Sequence, residues 1–136
     1  MNPHAMHSPT RSFSGSPWES IFGYCRAIRI GNQIEVSGTT AVDEEGQLVG
    51  EGDVYAQSRY IIQKAQKALQ ALGADLPQVV RTRTYVTDIG RWQEVARAHG
   101  EAFGQNPPAA TMVEVAKLIA PQLLVEMEFT AVLPHE

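Results

Sequence analysis

The first pattern of hydrophobic and polar positions predicts a β-hairpin. Residues 24–30 and 33–40 are two β-compatible runs, and the Gly-Asn pair between them suits a two-residue turn with positive φ. In the second run Ile34 and Val36 alternate with polar residues. This alternation gives the strand one apolar and one polar face.

Apolar residues spaced by three, four and seven positions predict two amphipathic helices. The first occupies residues 53–72, where Asp53 can cap its start and Gly73 can end it. The second stops near Gly104, before an Asn-Pro-Pro breaker. Its predicted apolar stripe consists of Trp92, Val95, Ala96, His99 and Phe103.

Strict two-residue alternation predicts the remaining strands at residues 79–88, 111–115 and 123–132, with a short strand or loop at 47–49. The predicted order is therefore β-β-(β)-α-β-α-β-β. In the last strand one set of alternating side chains is expected to face the helices. That set is Leu123, Val125, Met127, Phe129 and Ala131.

This order favours an α+β fold, with one mixed sheet and both helices packed on one face. No remaining element can cover the opposite face, so a partner subunit is the expected cover and a homo-oligomer is predicted. Residues 1–17 are rich in Ser, Pro and His and lack periodicity, which predicts a flexible tail before a single domain at 18–136.

Composition narrows the class of protein. The 136 residues suit one core, and 43% hydrophobic with 19% charged residues is typical of a soluble globular domain. Apolar runs are far shorter than a membrane span, and no basic-then-apolar leader is visible. With Cys25 as the single cysteine, a cytoplasmic location is the expectation.

Charge and side-chain spacing argue against several kinds of site. The formal charge of −4 disfavours binding to a nucleic-acid backbone. No glycine-rich phosphate loop is present, and His4, His7, His99 and His135 do not form a metal-binding spacing. We therefore predict no metal and no cofactor.

Three runs of sequence resemble the Rid (YjgF-type) family. They are GYCRAIRIGNQIEVSG at 23–38, VVRTRTYVTDI at 79–89, and NPPAATMVEVAKL followed by LLVEMEF within 106–129. The resemblance implies a chorismate-mutase-like α+β fold, a homotrimer and three clefts between subunits. It also implies hydrolysis of reactive 2-imino acids to 2-oxo acids and ammonia, although older descriptions of such proteins use the name L-PSP endoribonuclease.

Transferred position by position, the resemblance implies a pocket formed by Tyr24, Ser37, Gly38 and Glu126. In this interpretation Glu126 orients or deprotonates a water, while Tyr24 and the backbone at Ser37-Gly38 hold the substrate. Glu126 shares a strand face with Glu128, and two neighbouring carboxylates can raise each other's pKa. The same pair is also compatible with an ordinary charged surface.

The chain departs from the family at the group that binds the substrate carboxylate. Ala110 occupies the position of the deaminase arginine, Met112 that of a nearby cysteine, and Ala96 that of a frequent asparagine. Losing one charged hydrogen-bonding partner costs about 1.5 to 3 kcal/mol, or about 10- to 150-fold in recognition. Arg26 lies on the same strand face as Tyr24 and is the best candidate to replace the missing arginine. The alternative interpretation of Arg26 is a solvated cation on an edge strand.

Ser37 and Cys25 are not expected to act as nucleophiles. Ser37 has no recognisable His-Asp pair, and Cys25 has no activating partner and is interpreted as a small buried hydrophobe. The favoured function is therefore a Rid-like hydrolase or deaminase acting on a small imine or enamine. The alternatives are a trimer that binds a small metabolite without catalysis and, more weakly, an endoribonuclease.

Overall fold

One six-stranded mixed sheet forms the frame of the protein, as seen in a computed structural model that describes residues 8–134. Its strands are β1 (Thr10–Ser12), β2 (Ala27–Ile30), β3 (Gln33–Thr39), β4 (Val79–Val86), β5 (Ala109–Glu114) and β6 (Val125–Val132). Their order is β1-β2-β3-β6-β4-β5, and all neighbours are antiparallel except β4 and β5. The predicted α+β class with a mixed sheet is confirmed.

Two long helices, α2 (Val54–Ala71) and α3 (Trp92–Phe103), pack on the same face of this sheet, as predicted. The Asp53 side chain accepts a hydrogen bond from the backbone N–H of Ala56 and caps α2. Gly73 follows the helix with a φ of +92°, a conformation that glycine adopts without steric cost.

The core lies between these helices and the central strands. In and just before β6, the side chains of Leu123, Val125, Met127, Phe129 and Ala131 are all buried, as the alternation predicts. All of them except Leu123 belong to one hydrophobic cluster with the buried face of α2, including Ile61, Ala65 and Leu69. The intervening residues of β6 lie on the other face of the sheet, which no element of residues 8–134 covers.

The amino-terminal segment adds two elements that the hydrophobic pattern did not indicate. Within the segment predicted as a tail, β1 pairs with β2, and α1 (Pro17–Phe22) starts at its N-cap Ser16. Both elements are too short to show periodicity, and Phe22 is 83% exposed. Backbone hydrogen bonds, rather than buried apolar side chains, fix the position of β1.

Several element details differ from the sequence prediction. In α3, Trp92 is half exposed, and Ala98 joins Val95 and Phe103 in the buried stripe. Leu48 makes only an isolated bridge with Val42, so residues 47–49 form a loop.

His4, His7 and His135 lie outside the described residues. Between residues 8 and 134, no helix is both long and apolar enough to cross a membrane.

A buried glutamine connects α2 by hydrogen bonds to the loops that flank the sheet. The Gln57 side chain is fully buried, and its Nε2 donates to the carbonyls of Gly50 and Gln122 at 3.0 and 3.1 Å. Its Oε1 accepts a hydrogen bond from the backbone N–H of Leu124 at 2.9 Å. One side chain thus satisfies three backbone groups and fixes the approach to β6.

Replacing this side chain by a similarly sized apolar one should destabilise the fold. We expect Gln57→Leu to lower the free energy of unfolding by about 3 kcal/mol, because three backbone groups lose their partner. Urea denaturation measures the change, with Gln93→Leu on the exposed side of α3 as the control. Equal stability of the two variants would show that these hydrogen bonds contribute no net stability.

Candidate functional site

A β-bulge shapes the middle of the open sheet face. Val36 pairs with Phe129 and Thr39 with Met127, so Ser37 and Gly38 together oppose a single residue of β6. The Ser37 hydroxyl donates to the carbonyl of Cys25 at 2.7 Å. This hydrogen bond connects β3 with the segment that precedes β2.

The carboxylate of Glu126 rests directly against the bulge at Gly38. A Cβ atom placed on Gly38 would overlap Glu126 Oε2, although the φ angle of Gly38 is not in the left-handed region. Glycine is therefore needed here for space and not for backbone conformation. This contact brings together two of the residues that the sequence assigns to the pocket.

The surroundings of Glu126 favour its protonated form. Burial raises the pKa of the Glu126 carboxyl, and the nearby Glu128 raises it further, while Arg26 lowers it to a smaller extent. No group among residues 8–134 donates a hydrogen bond to this carboxylate. A half-buried carboxyl with free oxygens and a raised pKa is suited to general acid or base chemistry.

Glu128 has a different environment on the same strand. It accepts a hydrogen bond from the Tyr85 hydroxyl at 2.9 Å, and this bond is the main cause of the raised pKa of Tyr85. Tyr85 is also the β4 residue paired with Glu126. Tyr85 was not predicted as a site residue, because the alternation of β4 shows only which face of the strand it occupies.

Arg26 joins this group through its guanidinium. Its Nη2 donates to the carbonyl of Gly38 at 2.7 Å, and the guanidinium carbon lies 5.5 Å from the centre of the Tyr24 ring. Only 4% of Arg26 is exposed, so the alternative of a solvated edge-strand cation is wrong. Tyr24, Arg26, Ser37, Gly38 and Glu126 therefore form one cluster, which we call the bulge site.

Ala110 and Met112 do not join the bulge site within one chain. In β5 they pair with Thr82 and Thr84, whose side chains point to the helix-covered face. Glu126 lies two strands away on the opposite face of the sheet. Any cleft that combines Ala110 with Glu126 must therefore contain residues of two subunits.

The remaining candidate residues have local structural partners. Cys25 is a free thiol and is partly exposed, not the buried hydrophobe that we expected. His99 Nε2 lies 2.9 Å from the Thr82 hydroxyl, and burial lowers the pKa of this histidine. Within residues 8–134, no three His, Cys, Asp or Glu side chains are grouped as metal ligands.

Comparison with known proteins agrees with the observed fold. The model of the endoribonuclease L-PSP family matches residues 15–133. The chain belongs to this family, which is also called the Rid or YjgF family. The predicted family membership is thereby confirmed.

Individual relatives show how far the similarity extends. An uncharacterised protein of Streptomyces coelicolor is 37% identical over 118 residues, which is 87% of each chain. A second relative is Rv2704 from Mycobacterium tuberculosis, a member of the YjgF/YER057c/UK114 family whose crystal structure is 48% identical in sequence. The two structures superpose with a TM-score of 0.85 over 93% of this chain and 100% of that chain. The 3-aminoacrylate deaminase RutC of Acinetobacter baylyi is 28% identical over 79% of this chain and 85% of its own.

The contact between Gly38 and Glu126 can be tested by filling the space at Gly38. We expect Gly38→Ala to remain folded but to displace the flexible end of Glu126 toward water, and so to lower the pKa of Glu126 toward its ordinary value. Carboxyl-carbon NMR during a pH titration measures this shift. Gly100→Ala is the control, because a Cβ there meets nothing within 4 Å. An unchanged pKa of Glu126 in Gly38→Ala would contradict the assigned contact.

Proposed function

We propose that this Rid-family protein hydrolyses a small imine or enamine-type metabolite, with Glu126 as the general base and acid. Water attacks the imine carbon while Glu126 accepts a water proton, the C=N electron pair moves to nitrogen, and nitrogen receives that proton. The resulting carbinolamine loses its C–N bond. The nitrogen leaves as ammonia with the hydroxyl proton, carried by Glu126, and a carbonyl group remains.

The environment of Glu126 is the observation that supports this proposal. Its carboxylate is half-buried beside a glycine, and within the described residues its oxygens accept no hydrogen bond that a water or substrate would have to break. The raised pKa of the Glu126 carboxyl is closer to neutral pH than that of an ordinary glutamate. A group with such a pKa can both accept a proton and return it. Tyr24 and the Gly38 backbone provide a ring and main-chain groups to hold the substrate.

The proposed site is completed by a homotrimer with clefts between subunits. The open sheet face carries Tyr85, Glu126, Glu128 and Thr130, and no element within residues 8–134 shields them. A neighbouring subunit on this face would exclude bulk water and strengthen the electrostatic interactions of Glu126. A cytoplasmic location is part of the same proposal, consistent with the free thiol of Cys25.

A variant that cannot exchange a proton tests the role of Glu126. We expect Glu126→Gln to lower the rate of 2-oxo acid formation about 100-fold or more, with an amino-acid oxidase generating the imine in the assay. Because the basic form is required and its pKa is raised, the wild-type rate should fall with decreasing pH already above the ordinary range of a glutamate.

Glu35→Gln is the matched control for this measurement, because Glu35 lies on the open face of β3, where its carboxylate accepts a hydrogen bond from Thr130. Its rate should equal that of the wild type. Equal acceleration by wild type and Glu126→Gln would refute catalysis by this carboxylate.

Ala110→Arg tests whether the missing arginine limits the reaction. We expect about a tenfold gain or more in kcat/KM for a 2-imino acid, as one charged contact to the substrate carboxylate suggests. The gain requires a cleft between subunits, because within one chain Ala110 and Glu126 lie on opposite faces. The coupled oxidase assay measures it, after light scattering has established that the variant and the wild type share one oligomeric state.

The absence of a cation at Ala110 favours one other function, a trimer that binds a small metabolite without catalysing a reaction. An inactive wild type and no gain in a folded Ala110→Arg variant would support this alternative. RNA cleavage is the weakest proposal, because the formal charge of −4 opposes contact with a phosphate backbone.

A further inference from the structure

A cavity of about 430 Å³ lies beside the segment that follows β1 and the adjoining side of α2. Its lining combines cationic, hydroxyl and apolar side chains with the acidic Glu44, and it does not include Glu126 or Tyr24. The cationic members are Arg26, Lys64 and Lys67. We call this the α2 cavity.

Two buried donors with no partner belong to residues that line the α2 cavity. Ser12 Oγ and Arg26 Nε are both inaccessible to water and make no hydrogen bond. Within residues 8–134 only one other buried side-chain polar atom, Ser58 Oγ, has no partner. Buried donors are costly when unpaired, so the wall of the cavity at Ser12 and Arg26 would be stabilised by an acceptor that reaches these two atoms.

The charges near this cavity also lack a complete set of partners. Arg26 is almost fully buried, and no carboxylate of residues 8–134 lies within ion-pair distance of Arg26 or Lys64. Lys64 Nζ donates only to the carbonyl of Val42, at 2.9 Å. Burial lowers the pKa of Lys64, and the positive charge of Arg26 lowers it further.

Three carboxylates lie near these cations, and one of them, Glu44, itself lines the cavity. Glu19 is buried and accepts hydrogen bonds from the backbone and hydroxyl of Ser14, while Glu44 forms an exposed ion pair with Lys67 at 3.7 Å. Glu19, Asp43 and Glu44 all act on Lys64 in the direction opposite to Arg26. Neither Arg26 nor Lys64 forms an ion pair with these carboxylates, so an anion in the cavity would supply the direct partner that both cations lack.

We propose that the α2 cavity is a second ligand site, which binds a small organic anion through its carboxylate or phosphate group. Lys64 and Lys67 supply charged donors for the oxyanion and the buried Arg26 adds positive charge beside them. Phe13, Ala68 and Ala71 line the space for an apolar body. The volume is within the usual range for small-molecule sites. Because Arg26 also donates to the carbonyl of Gly38, an anion here would touch a residue that supports the bulge site.

Binding can be measured independently of any enzymatic activity. We expect inorganic phosphate or benzoate, each titrated at constant ionic strength, to produce saturable shifts in the amide NMR signals of Ser12, Phe13, Ser14 and Lys64. Saturation by either probe supports the site and identifies the group that it prefers. The Glu126→Gln variant should bind equally well, which separates this test from that of the proposed hydrolase.

Lys64→Met should weaken this binding about tenfold or more, because it removes one charged donor while keeping the aliphatic stem. Lys117→Met makes the same change at an exposed lysine outside the cavity and should bind like the wild type. Lys64→Arg should retain most of the affinity, which distinguishes a lost contact from a damaged fold.

Three results would overturn the proposal. They are the absence of saturable shifts with both probes, equal affinity in Lys64→Met and Lys117→Met, and shifts confined to Gly38 and Glu126. The last result would assign the anion to the bulge site instead.

Discussion

The close contact between the Gly38 backbone and the Glu126 carboxylate is the constraint on which the candidate site depends. Only a residue without a Cβ leaves room for Oε2, and only a bulge in β3 places that residue opposite β6 in this way. From the other side, Arg26 donates to the carbonyl of Gly38. The bulge, the carboxylate and the buried cation therefore form one unit around the backbone of Gly38.

This arrangement has a cost in stability that a purely structural carboxylate would not have. The folded state raises the pKa of Glu126, so it binds the proton more tightly than the unfolded chain does. As the pH rises from the ordinary range of a glutamate through the raised value, this residue therefore destabilises the fold. The destabilisation is present at neutral pH. Under the proposed function, this loss of stability is the exchange for chemistry that is common at functional sites.

The two faces of the sheet differ in the residues that they carry. The helix-covered face holds the core, where Phe129 and Met127 are fully buried against α2 and α3. The open face carries the polar residues of the bulge site. Arg26 connects this face with the α2 cavity, because its guanidinium bonds Gly38 while the residue also lines the cavity. A ligand in the cavity and a substrate on the open face would therefore share one positioning residue.

The sequence by itself determined the elements whose signal is local and periodic. The stripe in residues 53–72 indicated α2, Asp53 and Gly73 marked its ends, and the alternation before and within β6 separated the core side chains from the open face. These features follow from the repeat of a single helix or strand, so neighbouring residues are sufficient to specify them. The family resemblance added Tyr24, Ser37, Gly38 and Glu126, which periodicity alone did not distinguish from an ordinary strand surface.

Only the tertiary structure decided which of these residues meet. The bulge at Ser37-Gly38, the burial of Arg26 and the three hydrogen bonds of Gln57 all depend on partners far away in the chain. The same is true of Ala110, which strand order places on the face opposite to Glu126. β1 and α1 were missed because they are short and are fixed by backbone pairing and a cap. Long-range strand register sets these neighbours, and no local pattern of hydrophobic residues encodes it.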